Sequence, residues 1–357
     1  MHYLVVDGSL VNGADSTIIR LSRTTKLAEN PSINGEQGAQ ITVEDEEGNI
    51  IYYFQQLDNN GYYAVPGMTL DANRKYKLRI NTTDGKQFLS DDILVKNTPP
   101  IDSVNWRLTN DGVTIYVNSH DPSNSTKYYQ WQYSETYDYF SNSYSEIKYT
   151  GITTSIDDMF ADRGVNDQVY HCWRTKRSSE ILLGTTGNLS EDVISQSPVR
   201  YIPTASVELN SIYSILVKQY AIPKEGYEYL ENIRKISEQT GSLFDIQPSQ
   251  IPGNIHCISN PGESVIGYLF ASTLSQERIF ITNNQVEPWG YQVYCPPTQL
   301  VPPIIDSLKY YFDGPSPLLS PVKRVYNPLF AGISGGLPAC TDCTTKGGSN
   351  IKPDFWP

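Results

Sequence analysis

Residues 211–241 read S-I-Y-S-I-L-V-K-Q-Y-A-I-P-K-E-G-Y-E-Y-L-E-N-I-R-K-I-S-E-Q-T-G. This stretch decides how the rest of the chain is interpreted. Residues 212–222 are rich in β-branched and aromatic side chains, which predicts a buried strand. Pro223 suits the start of a helix and Gly241 suits its end, so a helix is predicted over residues 223–240. Its apolar side chains recur at helical spacing and would pack on a sheet: Tyr229, Leu230, Ile233 and Ile236.

The residues before this stretch are typical of short strands. The chain of 357 residues holds 26 Tyr against 10 Phe, together with 23 Pro and 25 Gly, a composition that favours pleated surfaces separated by turns. Between residues 3 and 95 the pattern predicts seven strands, with hairpin turns at 59–61 and 84–85. Residues 1–97 are therefore predicted to form an immunoglobulin-like or transthyretin-like sandwich.

Pro99 and Pro100 mark a domain boundary, because two prolines in succession stop strand pairing. A second, fibronectin-like sandwich is predicted over residues 98–293, with the helix inserted in it. In the run 127–134, Tyr129, Trp131 and Tyr133 share one face of a strand. Residues 294–357 are predicted to be an irregular wrap packed on this second domain. The fold class is thus mainly β, with two tandem immunoglobulin/fibronectin-like β-sandwiches, one inserted helix and a Pro-rich C-terminal wrap.

Charge and hydropathy exclude two classes of partner. A net charge of -12 argues against nucleic acid, since binding phosphate backbones needs clustered Lys and Arg. The longest apolar runs are about six residues, well short of the roughly 20 that a membrane-spanning helix needs. The start of the sequence also has no apolar signal region. This is expected either of a cytoplasmic protein or of a mature, exported chain.

Five cysteines help to choose between those compartments. Zinc would need a second ligand pair to match Cys340 and Cys343, and the sequence has none. Disulfides in an extracytoplasmic protein are the preferred interpretation, because cross-links across long loops stabilise a fold. Cys172 is expected to be an ordinary core residue, one thiol must stay free, and the pairing is left open. The disulfide candidates are Cys257, Cys295, Cys340 and Cys343.

No catalytic residue, metal or cofactor is predicted. The four histidines are far apart, and none belongs to a nucleophile elbow or a zinc-protease motif. Asp157, Asp158 and Asp162 match no calcium-loop spacing, so a solvated turn is preferred. The chain is therefore predicted not to be an enzyme.

Residues 136–150 follow neither the helical nor the strand period and are predicted to be an aromatic loop. Rigid aromatic faces among Ser and Asn are typical of recognition surfaces. The alternative, which the sequence favours, is that these rings fold back and cover the sandwich. The candidate ligand-binding residues are Tyr137, Tyr139, Phe140, Tyr144 and Tyr149.

Several motifs together resemble an uncharacterised family of Bacteroidota outer-membrane lipoproteins that has a domain of unknown function and is encoded beside TonB-dependent receptors. The motifs include L-V-V-D-G-S-L at 4–10, Y-Y-Q-W-Q-Y-S-E-T at 128–136, Y-S-I-L-V-K-Q-Y at 213–220, G-S-L-F-D-I-Q-P at 241–248, C-T-D-C at 340–343 and G-G-S-N-I-K-P-D-F-W at 347–356.

The resemblance implies a lipid-anchored accessory subunit on the cell surface, which captures or presents a nutrient to a TonB-dependent receptor or another outer-membrane barrel. The lipid-bearing cysteine of such proteins is missing from this sequence, as expected of a trimmed mature chain. A structural or assembly component of an outer-membrane complex, or a surface adhesin, is the alternative.

Overall fold

A computed structural model describes residues 2–25, 34–152, 154–238 and 251–357 of the chain. Strands predominate in it, and the mainly β prediction is confirmed. The strands of the N-terminal part are β1 (Leu4–Gly8), β2 (Leu10–Asn12), β3 (Thr17–Arg23), β4 (Gln40–Asp45), β5 (Ile50–Tyr53), β6 (Gln55–Gln56), β7 (Tyr62–Val65), β8 (Lys75–Asn81), β9 (Gln87–Ser90) and β10 (Ile93–Lys96).

The central part contains most of the remaining strands and two helices. None of the helices in the described ranges is long and apolar enough to cross a bilayer. The elements are β11 (Ile101–Leu108), β12 (Gly112–His120), β13 (Tyr128–Phe140), β14 (Ile147–Tyr149), α1 (Ile156–Met159), β15 (Phe160–Asp162), β16 (His171–Arg177), β17 (Leu182–Thr185), β18 (Val193–Pro203), β19 (Ile212–Ala221), α2 (Lys224–Glu238), β20 (Ile255–Cys257), β21 (Val265–Ile266) and β22 (Ala271–Thr282).

The first sandwich packs a five-stranded sheet, in the order β21-β1-β3-β7-β6, against strands β10-β8-β4-β5. Alternate side chains of each strand point inward, and most of them are aliphatic, so the core is built by apolar burial. The chain returns to this sandwich after α2. Ile255, Cys257 and Val265 lie in its core, whereas the sequence assigned the whole segment after the helix to the second sandwich.

The second sandwich packs the three-stranded sheet β11-β12-β18 against β16-β13-β19-β22. Tyr129, Trp131 and Tyr133 are all buried in its core, which confirms the predicted face of β13. The strand predicted over residues 212–222 is β19, at the centre of the larger sheet. Strand β22 pairs with β19 through residues 274–282, and its first residues pair with β10 on one side and with β2 on the other, so one sheet of 12 strands runs through both sandwiches.

The predicted aromatic loop is wrong over residues 136–140, because β13 continues to Phe140 and pairs with β16 and β19. Tyr137 and Tyr139 lie in the core and are 1% and 3% exposed. Thr136 and Asp138, on the opposite face of the same strand, are buried as well. A strand buried on both faces shows no alternation of apolar and polar residues, which explains the failed prediction.

Helix α2 confirms the predicted helix within the described residues, while the stop at Gly241 lies outside them. It packs at the junction of the two sandwiches, where Tyr227 lies 5.1 Å from the Tyr128 ring and Tyr229 lies 5.7 Å from Tyr268. Its polar face carries two ion pairs at helical spacing, Lys224 with Glu228 and Lys235 with Glu231. The helix thus contacts strand β13 of the second sandwich and the segment between β21 and β22.

The C-terminal segment differs from the irregular wrap predicted over residues 294–357. It forms a sheet in the order β23-β25-β24, and a helix packs beside that sheet. Leu308 and Phe312 of this helix share a small core with Met159 and Phe160 of the central part. The elements are β23 (Gln299–Val301), α3 (Ile305–Phe312), β24 (Ser320–Tyr326), β25 (Phe330–Gly336) and α4 (Pro338–Thr341).

Two disulfides fasten the C-terminal segment. Cys172 pairs with Cys343 across 171 residues, and Cys295 pairs with Cys340 across 45. Cys257 is a free thiol buried in the first sandwich. The prediction of disulfides is confirmed, but Cys257 was wrongly included and Cys172 was wrongly taken for a core thiol. The pairing depends on a contact between distant strands, which residue spacing does not encode.

Candidate functional site

A cleft of about 380 Å³ opens where the two sandwiches and helix α2 meet. One wall is the outer face of β1 and β3 from the first sandwich, and another is the outer face of β13 from the second. Helix α2 and the segment around Tyr268 close the remaining side. Clefts of this size at domain junctions are the usual place for small-ligand sites.

The wall from the first sandwich carries the principal charges. In the β1–β3 ladder Asp7 lies directly opposite Arg20, and Val5 lies opposite Ser22. Their neighbours Val6 and Leu21 are buried in the core. Because side chains alternate along a strand, Asp7 and Arg20 must point outward, into the cleft.

Asp7 and Arg20 interact electrostatically, but one hydrogen-bond donor of Arg20 has no partner among the described residues. The surrounding protein partly desolvates the Asp7 carboxylate and raises its pKa, and the positive charge of Arg20 partly offsets this rise. The Arg20 guanidinium lies 5.2 Å from the centre of the Tyr62 ring, and its Nε is buried with no hydrogen-bond partner in the described part of the chain. A buried donor without a partner is costly. The rest of the Arg20 side chain is only half-buried, so its charge remains available to an anionic group in the cleft.

The wall from the second sandwich supplies amides and hydroxyls. Gln130 and Gln132 alternate with the buried residues of β13 and therefore face the cleft. Ser178 is held in place because its backbone N–H donates to the Tyr133 carbonyl at 2.9 Å and its hydroxyl accepts from the Tyr133 N–H at 3.0 Å. Glu180, two residues further on, adds an exposed carboxylate.

Helix α2 gives the cleft an apolar and aromatic side, formed by Tyr229, Leu230 and Ile233 with Tyr268 opposite. A Cβ at Gly226 would lie 2.9 Å from the Tyr268 ring, so glycine permits the close approach of helix and ring. Burial, with help from Glu225 and Asp91, raises the pKa of Tyr268 to about 12. Its hydroxyl therefore remains protonated, and able to donate, at neutral pH.

The cleft combines donors, acceptors and apolar surface, which suits a small polar ligand with some apolar character. Among the described residues, no group of three or more His, Cys, Asp or Glu side chains is arranged to hold a metal ion. In the part of the chain that the structure describes, the carboxylates that line the cleft are those of Asp7 and Glu180.

The predicted binding residues do not line this cleft. Tyr137 and Tyr139 are core residues, whereas Phe140 and Tyr144 are 40% and 51% exposed on a separate surface. Both rings pack against Tyr170, at 5.4 and 5.5 Å. The structure therefore brings Phe140 and Tyr144 together and separates them from the other three candidates.

Tyr149, the last of those candidates, is half-buried in β14, and its ring lies 5.7 Å from Phe160. Its hydroxyl is buried without a hydrogen-bond partner in the described ranges. Tyr149 therefore belongs to the packing between the central part and the C-terminal segment.

Sequence reasoning missed Asp7, Arg20, Gln130 and Gln132. The signal was present, because Arg20, Gln130 and Gln132 are polar residues between buried neighbours in a strand, and Asp7 directly follows the buried Val6. That pattern marks an outward face, but it does not show that outward faces of two different sandwiches meet.

Comparison with known proteins places the sequence in one family. The family model described as a domain of unknown function (DUF4249) matches residues 1–278. No curated protein matches the sequence. Among solved structures, Escherichia coli alpha-2-macroglobulin activated by porcine elastase is similar over 63% of this chain, with 13% sequence identity and a TM-score of 0.22. This chain covers only 19% of that protein, and a likeness at this TM-score supports no conclusion about function.

Proposed function

The chain belongs to the DUF4249 family of proteins with a domain of unknown function, and from that premise we propose that it is a non-catalytic, lipid-anchored outer-membrane protein. In this proposal it sits at the cell surface as an accessory subunit of a TonB-dependent transporter. It captures a nutrient, or presents it, to the barrel of that transporter.

The cleft is the observation that carries the proposal. A capture protein needs an accessible site that binds without reacting, and this cleft offers a half-buried guanidinium, amides and hydroxyls around an apolar wall. Two disulfides in the C-terminal part support an oxidising, extracytoplasmic setting. A lipid anchor would hold the protein at the membrane.

The test is native mass spectrometry of complexes purified from the native membrane. We expect an outer-membrane barrel to copurify with the chain, together with a small solute. The double variant Asp7→Asn/Arg20→Gln should retain the barrel and lose the solute, because it removes the two charges on the β1–β3 wall of the cleft. Arg107→Gln, at an exposed arginine stacked 5.9 Å over Tyr116, is the matched control and should retain both. Recovery of no barrel would contradict the accessory role.

A structural or adhesive component of an outer-membrane complex is the second candidate. The exposed apolar side chains of the C-terminal segment favour it, since such residues are typical of protein contacts. Tyr294, Tyr310 and Leu329 are 90%, 68% and 80% exposed. Growth of a deletion strain separates the candidates, because a defect on one nutrient indicates uptake and a weakened envelope on every medium indicates structure.

A further inference from the structure

The two charges on the β1–β3 wall of the cleft are not paired with each other. Arg20 lies between Asp7 of β1 and Tyr62 of β7, because β3 pairs with both strands. Its guanidinium lies 5.2 Å from the centre of the Tyr62 ring and so leans toward β7. In the described part of the chain, neither Asp7 nor Arg20 takes part in an ion pair or a side-chain hydrogen bond. The wall therefore presents one anionic and one cationic group on adjacent strands, each open to a ligand.

The Asp7 carboxylate favours a ligand with a cationic group. The surrounding protein partly desolvates this carboxylate, and the charge of Arg20 offsets only part of that effect. An ammonium group beside Asp7 would supply both the missing positive charge and N–H donors. Glu180, which is exposed on the opposite wall, adds a second negative charge to the cleft.

Arg20 adds the opposite requirement. A half-buried guanidinium suits a carboxylate, which it can bind through two parallel hydrogen bonds. A purely anionic ligand would be repelled by Asp7 and Glu180. An uncharged sugar would leave both Asp7 and Arg20 without a counterion in a partly desolvated site, which costs free energy. A ligand that carries both charges avoids these penalties.

The β13 wall suits an amide group. Gln130 and Gln132 are two residues apart on the outward face of the strand and line the cleft. Each carboxamide has donors and an acceptor, and no described residue forms a hydrogen bond with either side chain. A peptide group also carries one donor and one acceptor, so these side chains can bind it from the side.

Helix α2 contributes aliphatic side chains and no open aromatic face. Leu230 and Ile233 are half-buried, lie one turn apart and both line the cleft. Tyr229 is 6% exposed, and the Tyr268 ring packs 5.7 Å from it and against Gly226. This wall therefore fits an apolar side chain of the ligand.

We propose that the cleft binds short zwitterionic peptides with apolar side chains. The peptide ammonium group pairs with Asp7, and the peptide carboxylate pairs with Arg20. Gln130 and Gln132 bind the peptide group, and the apolar side chains pack on helix α2. This inference rests on the capture function proposed above and names the class of nutrient that is captured.

Calorimetric titration of the purified chain is the first test, with the dipeptide Leu-Leu as the probe. We expect Leu-Leu to bind, and both its N-acetyl derivative and its C-terminal amide to bind at least about tenfold more weakly, since each lacks one charge. Maltose, an uncharged sugar, should not bind measurably. Equal affinity for the three forms of Leu-Leu, tighter binding of maltose, or no binding of Leu-Leu at millimolar concentration would overturn the proposal.

Matched changes in protein and ligand form the second test. Asp7→Asn should weaken Leu-Leu at least about tenfold and leave the binding of N-acetyl-Leu-Leu unchanged. Arg20→Gln should weaken Leu-Leu by a similar factor and leave the binding of the C-terminal amide unchanged. Arg107→Gln, outside the cleft, is the control and should bind every form as the natural chain does. Because each variant keeps its affinity for one ligand, a misfolded variant would be recognised. Equal losses for all forms in a variant that melts normally would contradict the pairing.

The identity of the solute that copurifies from the native membrane separates this inference from the accessory role. A barrel recovered with a solute that Asp7→Asn/Arg20→Gln loses, but that is not a peptide, would overturn the ligand class and leave the capture function intact. A purified chain that binds Leu-Leu with the expected charge dependence, without any barrel in the native complex, would support the ligand class and contradict the transporter role.

Discussion

The two sandwiches are stabilised by different chemistry. The first has a mainly aliphatic core, with residues such as Leu4, Ile19 and Leu78 fully buried. The second has an aromatic core next to a buried polar network, in which the Glu135 carboxylate accepts hydrogen bonds from Arg200 at 2.8 and 3.2 Å and from the Tyr213 hydroxyl at 2.9 Å.

This difference has a physical consequence. Apolar burial is non-directional and tolerates small rearrangements, whereas a buried ion with three hydrogen bonds is stable only while every partner remains. The second sandwich should therefore be the more sensitive of the two to loss of single polar groups, to reduction and to alkali.

The largest expected effect is that of Glu135→Gln, which leaves the Arg200 charge without its partner inside the second sandwich. We expect the free energy of unfolding of this sandwich to fall by about 3–5 kcal/mol. The matched control is Glu44→Gln in the first sandwich, where Glu44 pairs with the more exposed Arg79, and a loss of about 1–2 kcal/mol is expected. Unfolding in denaturant, monitored by hydrogen exchange, measures the loss for both variants. Equal losses would contradict the comparison.

The next effect is that of the double variant Cys172→Ala/Cys343→Ala. Without the cross-link over 171 residues, the unfolding free energy of the second sandwich and its C-terminal segment should fall by about 2–4 kcal/mol. Reductant, which also opens the Cys295–Cys340 bond, should cause at least this loss in the natural chain and have no effect on exchange in the first sandwich, whose Cys257 is unpaired. If reduction loosened both sandwiches equally, they would have to unfold as one unit.

Alkali should also act on the second sandwich first. Burial raises the pKa of Tyr133 to about 12 and raises that of Tyr213 well above its ordinary value. A raised pKa means that the stability is complete below the ordinary tyrosine pKa of about 10 and is lost as the pH rises through the folded-state value. Between pH 10 and 12 we expect Tyr133 to account for a loss of roughly 2 kcal/mol. Melting curves across this range measure the loss, which Tyr133→Phe should reduce.

The smallest effect is expected for Lys86→Met in the first sandwich. The Lys86 Nζ lies 2.7 Å from Glu263, but the pair is partly solvated, so a loss of at most about 1 kcal/mol should follow. Lys75→Met, at a more exposed lysine paired with Asp92, is the control and should change less. A loss above about 2 kcal/mol in thermal unfolding would show that the first sandwich also depends on charge.

The sequence predicted those parts of the fold in which one face of each element is buried. The alternation in β13 up to Tyr133 and the helical spacing in α2 are such cases, because burial on one side leaves a period. The period disappeared at Tyr137 and Tyr139, where both faces of the strand are covered. Helix α3 had its signal in Ile305, Leu308 and Phe312, but the surrounding prolines obscured it.

The candidate site was less predictable than the fold. Asp7 and Arg20 are opposite each other only because of the β1–β3 register, and Gln130 reaches the same cleft only because the two sandwiches meet there. Such a site depends on long-range geometry that a local pattern does not contain. The Cys172–Cys343 pairing was missed for the same reason.

The first sandwich is completed by a late part of the chain, since β20 and β21 supply strands and core residues to it from positions 255–266. During synthesis from the N terminus, residues 1–97 must therefore wait for roughly 160 more residues before their last strands arrive, which takes on the order of ten seconds at usual elongation rates. Throughout that interval β1 and β9 lack their final neighbours. A nascent chain in this state is a natural substrate for a chaperone.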